Sequence, residues 1–150
     1  MPFWFWSVTS QQCVPCEANG DKLIQYQSQW ICTRMINDTL MSYANSKSAC
    51  TTVSWSLISP IMAADISVIA QFYPTYRIWV YMETTLGSSN YTNIVFPSNQ
   101  SNWNTFVSTG TSSSYATQVY ALQIIPPYSS TLLFEGNTNY DMGHALCMLY

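Results

Sequence analysis

The order of apolar and polar positions predicts a protein built mainly from β-strands. Residues 23–31 place Ile24, Tyr26 and Trp30 on one face and three glutamines on the other, which is the pattern of a strand with one polar side. Residues 76–85 are apolar on both faces, so we expect this strand in the middle of a sheet. Similar patterns predict strands over 52–58, 65–73, 91–96, 115–125 and 130–136, and a strand or short helix over 144–150.

The segment 32–46 is the one predicted amphipathic helix. Its apolar positions recur every three or four residues, as on one stripe of a helix. Arg34 lies four residues before Asp38, where a weak ion pair supports a helix. The stripe consists of Met35, Ile36, Thr39, Leu40, Tyr43 and Ala44.

These elements predict one domain over residues 1–150, because no linker or repeat divides the chain. Several short strands with turns between them are typical of a β-sandwich or jelly-roll-like unit. We therefore expect a mainly β fold with one short helix and an extended N-terminal arm. Residues 98–114 are rich in Ser, Asn and Thr and predict a long surface loop, the kind of segment that often carries function.

The N-terminal residues Phe3, Trp4, Phe5 and Trp6 are predicted to contact another molecule. Neighbouring side chains of a strand point to opposite sides, so the four rings cannot all face their own core. We expect residues 1–12 to form an arm that docks into an adjacent subunit, with Cys13 and Cys16 at its root.

The small number of charges limits the partners that the chain can bind. Charged residues make up 7% of the chain and the net charge is -3. Phosphate binding requires clustered Lys and Arg, and the only four basic residues are scattered, which argues against nucleic acid and anionic membranes. The four basic residues are Lys22, Arg34, Lys47 and Arg77.

The apolar run at the N-terminus is too short to span a bilayer.

The five cysteines are an odd number, which leaves one unpaired in an oxidising compartment. Cys13 and Cys16 have the Cys-x-x-Cys spacing of a redox pair or of one half of a zinc site. The residues after them favour a turn, which argues against the redox pair. No second cysteine lies three residues after Cys32, so the other half of a zinc site is missing. We therefore expect no metal and interpret the cysteines as disulfide candidates, with Cys32–Cys50 as the favoured pair. The candidates are Cys13, Cys16, Cys32, Cys50 and Cys147.

An enzymatic function is not expected. The only histidine lies in Asp141-x-x-His144-x-x-Cys147, and three residues on one short element seldom supply both a nucleophile and its base. The best glycosidase candidates are Asp65, Glu83 and Glu135. No phosphate-binding glycine motif occurs, so no cofactor is expected.

Three N-x-S/T sequons start at Asn37, Asn90 and Asn99. Some are expected by chance in a chain this rich in Asn, Ser and Thr. They acquire meaning only on a eukaryotic secretory route.

Taken together, these features favour a non-enzymatic structural subunit of an extracellular filament, appendage or virus particle. Its partners would be copies of itself, held by aromatic and neutral polar surfaces. The alternative is a lectin-like, glycan-binding module that uses Asn102, Trp103 and Asn104 of the 98–114 loop. A β-rich lytic toxin and a small hydrolase rank below both.

Overall fold

In the residues that it describes, the computed structural model shows a mainly β protein with two helices. It describes residues 2–17, 20–26, 29–60, 63–85, 107–108, 119–126, 133–137 and 141–150. The strands are β1 (Phe3–Ser7), β2 (Gln12–Cys16), β3 (Lys22–Tyr26), β4 (Gln29–Met41), β5 (Ser56–Leu57), β6 (Ile78–Thr85), β7 (Val107–Ser108), β8 (Val119–Ile124), β9 (Leu133–Asn137) and β10 (Gly143–Leu149), and the helices are α1 (Tyr43–Thr52) and α2 (Ala63–Phe72).

Two sheets contain these strands. β1 and β2 form an antiparallel hairpin, and the other strands form one sheet in the order β3-β4-β10-β6-β8-β9-β7, with β5 paired to β10. The two halves of the large sheet meet at a single parallel pair, His144 opposite Ile78. The described strands close no barrel, and a sandwich or jelly-roll arrangement is not confirmed.

The large sheet is covered on both faces, as the alternation of its buried residues shows. Ile78, Val80 and Leu122 pack with Ile66 and Ile69 of α2. Their neighbours along the strands face the other way, where Trp79, Ala121 and Cys147 pack with Tyr43 and Cys50 of α1. Successive side chains of a strand point to opposite faces, so the fold has three layers.

The hairpin β1–β2 covers part of the α1 side of the sheet. Phe5 and Cys16 are buried there against Cys32. The hydroxyl of Ser7 donates a hydrogen bond to the Tyr150 carbonyl at 2.6 Å, and the Thr9 amide donates to the same oxygen at 3.0 Å. The predicted extended arm is therefore wrong, because the hairpin packs against its own domain.

Two helix and strand predictions are also wrong. Residues 32–46 contain no helix before Tyr43, since β4 runs to Met41 and α1 follows it. Residues 65–73 form α2 rather than a strand. The predicted strand over 23–31 is a hairpin of β3 and β4.

The strands predicted over 76–85, 115–125, 130–136 and 144–150 are confirmed as β6, β8, β9 and β10, with bounds that differ by up to four residues. Ile78, Trp79 and Val80 of β6 are fully buried, as its central position in the sheet requires. Of the segment predicted over 52–58, only β5 is a strand. The strand predicted over 91–96 lies outside the described residues.

Candidate functional site

The candidate binding segment lies between β6 and β8. Thr85, the last residue of β6, is paired with Val119, the first residue of β8, so the strand ends that flank residues 86–118 lie side by side. We call residues 86–118 the β6–β8 connection. Within it, Val107 and Ser108 form β7 and pair with Leu133 and Phe134 of β9, so these two residues of the predicted loop belong to the sheet.

The sugar-binding residues predicted within this connection lie outside the described residues. These are Asn102, Trp103 and Asn104. The structure gives the base of the connection, while the contacts of these three residues stay a prediction.

A cluster of polar side chains surrounds Arg77, at the end of β6 opposite to the β6–β8 connection. The Arg77 guanidinium donates from Nε to Oε1 of the fully buried Gln123 at 2.7 Å. Its Nη2 lies 3.7 Å from Oδ1 of Asp141. Asp141 is therefore the carboxylate that the structure places beside Arg77.

His144 is bound into the same group. Its Nδ1 faces the Arg77 carbonyl at 3.1 Å and therefore donates to it, and its backbone amide donates to the same oxygen at 2.6 Å. Nε2 lies 3.7 Å from Oδ1 of Asp38, and the Tyr76 ring meets the imidazole edge to face at 5.0 Å. These contacts hold the histidine as a structural link between β10 and its neighbours.

The arrangement Asp141-x-x-His144-x-x-Cys147 has no catalytic geometry. His144 and Cys147 are three residues apart on a strand, which places their side chains on opposite faces. Cys147 is bonded to Cys50, so it has no thiol to act as a nucleophile.

Four of the five cysteines form disulfides. The pairs are Cys16–Cys32 and Cys50–Cys147. The prediction of a Cys32–Cys50 disulfide is therefore wrong. Cys13 is free and exposed.

The structure does not join Cys13 and Cys16 as a redox pair. Cys16 is bonded to Cys32 instead of Cys13, so no Cys-x-x-Cys pair exists. In the part of the chain that the structure describes, one group brings three metal-ligand residues together, Cys16, Cys32 and Asp21. The two sulfurs of this group are bonded to each other, and Asp21 accepts two hydrogen bonds from Arg34 at 2.8 Å. Disulfide-bonded sulfurs supply no thiolate, so this group is not a metal site.

The structure gives the backbone positions of the three candidate carboxylates. Asp65 lies buried in the first turn of α2. Glu83 lies on β6 opposite Ala121, and Glu135 lies on β9 opposite Leu122. That any two of the three form a glycosidase pair stays a hypothesis. A glycosidase requires two carboxylates that face each other across the bond.

The four N-terminal rings are divided between core and solvent. Phe5 is 4% exposed, whereas Phe3, Trp4 and Trp6 are 69%, 62% and 56% exposed. In the hairpin Trp4 lies opposite Pro15 and Trp6 opposite Cys13, and directly opposed residues share a face. That the exposed rings contact a partner stays a prediction.

Each basic residue is engaged within the chain. Lys22 lies over the Tyr73 ring at 4.3 Å and Arg34 over the Trp55 ring at 4.4 Å. Lys47 lies 4.5 Å from the Tyr81 ring, and Arg77 binds Gln123. These contacts satisfy the cations locally. Both helices are ten residues long, and within the described residues no helix is long and apolar enough to cross a membrane.

Comparisons with known proteins show the fold. No protein-family model matches the sequence, and no curated protein matches it. Among solved structures, TC14, a C-type lectin from the tunicate Polyandrocarpa misakiensis, is similar over 79% of this chain and 98% of its own, with 17% identity and a TM-score of 0.54. Human lithostathine is similar over 89% of this chain and 90% of its own, with 13% identity and a TM-score of 0.57.

This likeness overturns the filament or virus subunit as the leading interpretation, because the solved neighbours include a lectin and favour the glycan-binding alternative. Self-association and a virion surface gain no support from either neighbour. The chain therefore has a C-type lectin-like fold.

Proposed function

We propose that the chain is a non-enzymatic glycan-binding module that acts outside the cell. The observation that carries this proposal is the fold, which it shares over most of its length with a protein named as a C-type lectin. Two disulfides support an oxidising, extracellular setting, because such bonds seldom persist in the cytosol.

The β6–β8 connection is the proposed binding segment. Its sequence combines Trp103 with Asn102 and Asn104, and an amide side chain offers both a donor and an acceptor to sugar hydroxyls. A Trp ring supplies a flat apolar face with a polar edge. The paired strand ends Thr85 and Val119 give the segment a rigid base, which suits a binding site carried on a scaffold.

The proposal is tested on a glycan array with the full chain, followed by titration of the strongest ligand in buffer with and without divalent cations. Trp103→Ala is expected to abolish binding and leave the unfolding midpoint unchanged. Trp4→Ala is the matched control, because this exposed Trp lies on the hairpin, and it should bind as the parent does.

Two results contradict the proposal at different points. Absence of binding to every glycan on the array rejects the function. Binding that survives Trp103→Ala but is lost in Trp4→Ala keeps the function and rejects the site.

A further inference from the structure

The sequon Asn37-Asp38-Thr39 lies at an accessible irregularity of β4. An N-x-S/T triplet is an acceptor for N-linked glycans in secreted proteins. Asn37, Asp38 and Thr39 are all exposed. The sequons at Asn90 and Asn99 lie outside the described residues, so Asn37 is the acceptor whose surroundings the structure describes.

The irregularity is a bulge opposite His144. β10 pairs Gly143 with Met41 and Ala145 with Ile36, so one residue of β10 faces residues 37–40 of β4. The extra residues cannot join the ladder and must leave the plane of the sheet. Asn37 has a φ of 42°, which turns the chain out of the extended conformation at the acceptor itself.

The other edge of β4 is also without a strand at this point. The register between β3 and β4 ends at the pair Lys22–Thr33, so none of the described strands pairs with β4 beyond Thr33 on that side. In the folded protein a glycan on the acceptor needs free space around the strand, and a residue inside a two-sided ladder has neighbours on both sides. Asn37 therefore meets the steric requirement that most strand residues fail.

The disulfides supply the second, independent argument. Cys16–Cys32 and Cys50–Cys147 join elements that are distant in sequence. Such bonds form in oxidising compartments, among them the lumen of the endoplasmic reticulum. A chain that acquires its disulfides there is exposed to the N-glycosylation machinery.

We propose that Asn37 carries an N-linked glycan. The donor is an oligosaccharide attached through its first sugar to a lipid diphosphate. The Nδ2 atom of Asn37 forms a bond to C1 of that sugar and loses one proton. The bond between C1 and the diphosphate oxygen breaks, and the lipid diphosphate leaves with the electron pair.

A glycan at Asn37 is compatible with the proposed binding function and does not depend on it. The bulge faces His144, which pairs with Ile78 at the start of β6, whereas the β6–β8 connection begins after Thr85. The distance along β6 from Ile78 to Thr85 is about 20 Å. The glycan would shield the exposed Leu40, at the end of β6 away from Thr85.

The test is secretion of the full chain from eukaryotic cells behind a secretory leader, with Asn90→Gln and Asn99→Gln introduced together. This variant is expected to carry a glycan that peptide N-glycosidase removes. Adding Asn37→Gln or Thr39→Ala should abolish the glycan completely, whereas Thr39→Ser, which preserves the sequon, should retain it.

A secreted Asn90→Gln/Asn99→Gln variant with the mass of the bare polypeptide would overturn the proposal. If that variant is not secreted, the parent chain is digested with the glycosidase in heavy-oxygen water and mapped by mass spectrometry. Labelled Asp at position 37 then supports the proposal, and unmodified Asn37 rejects it.

Discussion

Gly143 begins β10 at a point where a side chain has no room. An added Cβ would lie 2.9 Å from Cδ1 and 3.0 Å from Nε1 of Trp79, and 3.1 Å from Nε2 of Gln123. Trp79 cannot move freely, because it is fully buried and its Nε1 donates to the Met41 carbonyl at 3.0 Å. Packing at this residue is therefore as tight as in the core.

Gly143→Ala is expected to lower the free energy of unfolding by about 1–3 kcal/mol, as overpacking usually does. Urea unfolding measures the loss, and near-ultraviolet circular dichroism should show a changed Trp environment. Gly20→Ala is the contrast. Its φ of +97° would strain an alanine, but no atom lies within 4 Å of the added Cβ, so the Trp signal of this variant should not change. A Gly143→Ala protein as stable as the parent would contradict this account.

Tyr73 carries a buried hydroxyl with a defined direction of donation. It is 3% exposed, and its oxygen lies 2.6 Å from Oγ1 of Thr33. The Thr33 hydroxyl donates its one proton to the Lys22 carbonyl at 2.9 Å, so Tyr73 donates to Thr33. Burial raises the pKa of Tyr73 to about 12 from an ordinary value of 10.0.

Because the pKa is higher in the folded state, the contribution of Tyr73 to stability is complete below pH 10 and is lost as pH rises towards 12. Tyr73→Phe lacks both the hydrogen bond and the ionisation. It is expected to be about 1 kcal/mol less stable than the parent at neutral pH. This gap in the free energy of unfolding between the two proteins should narrow between pH 10 and 12. Urea unfolding at a series of pH values measures the gap, and a constant gap would contradict the assignment.

At the scale of elements, the two disulfides stabilise loops of very different length. Cys50 and Cys147 are 97 residues apart and tie α1 to β10, whereas Cys16 and Cys32 are 16 apart and tie the hairpin to β4. In the chain-entropy view a bond across a longer loop removes more freedom from the unfolded chain, about 4.7 kcal/mol for a 100-residue loop against about 3 for a 15-residue loop.

Replacing both cysteines of a pair by Ala should therefore cost more stability for Cys50–Cys147 than for Cys16–Cys32. Denaturant unfolding of the two double variants under identical conditions measures the order. Cys13→Ala serves as the control for cysteine removal and should leave the midpoint unchanged. The reverse order would show that packing around the hairpin outweighs loop closure.

Sequence reasoning predicted the central strand β6 correctly, because its apolar residues occupy both faces and Ile78, Trp79 and Val80 are fully buried. The misassigned elements have ambiguous periods. In β4, Met35 and Ile36 are sheet residues while Thr39 and Leu40 are in the bulge, and the extra bulge residues imitate helical spacing. In α2, the β-branched residues suggested a strand, although the buried Ile66, Ile69 and Tyr73 follow the helical interval of three and four.

At the scale of the molecule, the three-layer arrangement could not be predicted from the chain. It depends on long-range pairings such as β4 with β10, for which local pattern carries no signal. The candidate binding segment was selected by its composition alone, since 98–114 has no apolar period. The Arg77 group was missed because Gln123, Asp141 and His144 are at least 46 residues away from Arg77 in sequence.

The engagement of every cation within the chain predicts a weak effect of salt on glycan binding. Between about 0.01 M and about 1 M NaCl the screening length falls from about 30 Å to about 3 Å, but few charges are present to be screened. The dissociation constant of a neutral glycan is expected to change by less than about threefold, or about 0.6 kcal/mol. A large loss of affinity in high salt would indicate a charged contact within the β6–β8 connection.

Cys13 gives the native chain a single site for thiol-specific chemistry. The other four cysteines are bonded in pairs, so a maleimide reagent attaches at one sulfur on the exposed face of the hairpin. Its cross-strand neighbour is Trp6, and an indole quenches many dyes on contact. A fluorophore at this position would therefore brighten whenever another surface draws Trp6 away from it, which makes the hairpin an optical reporter of its own encounters without any substitution.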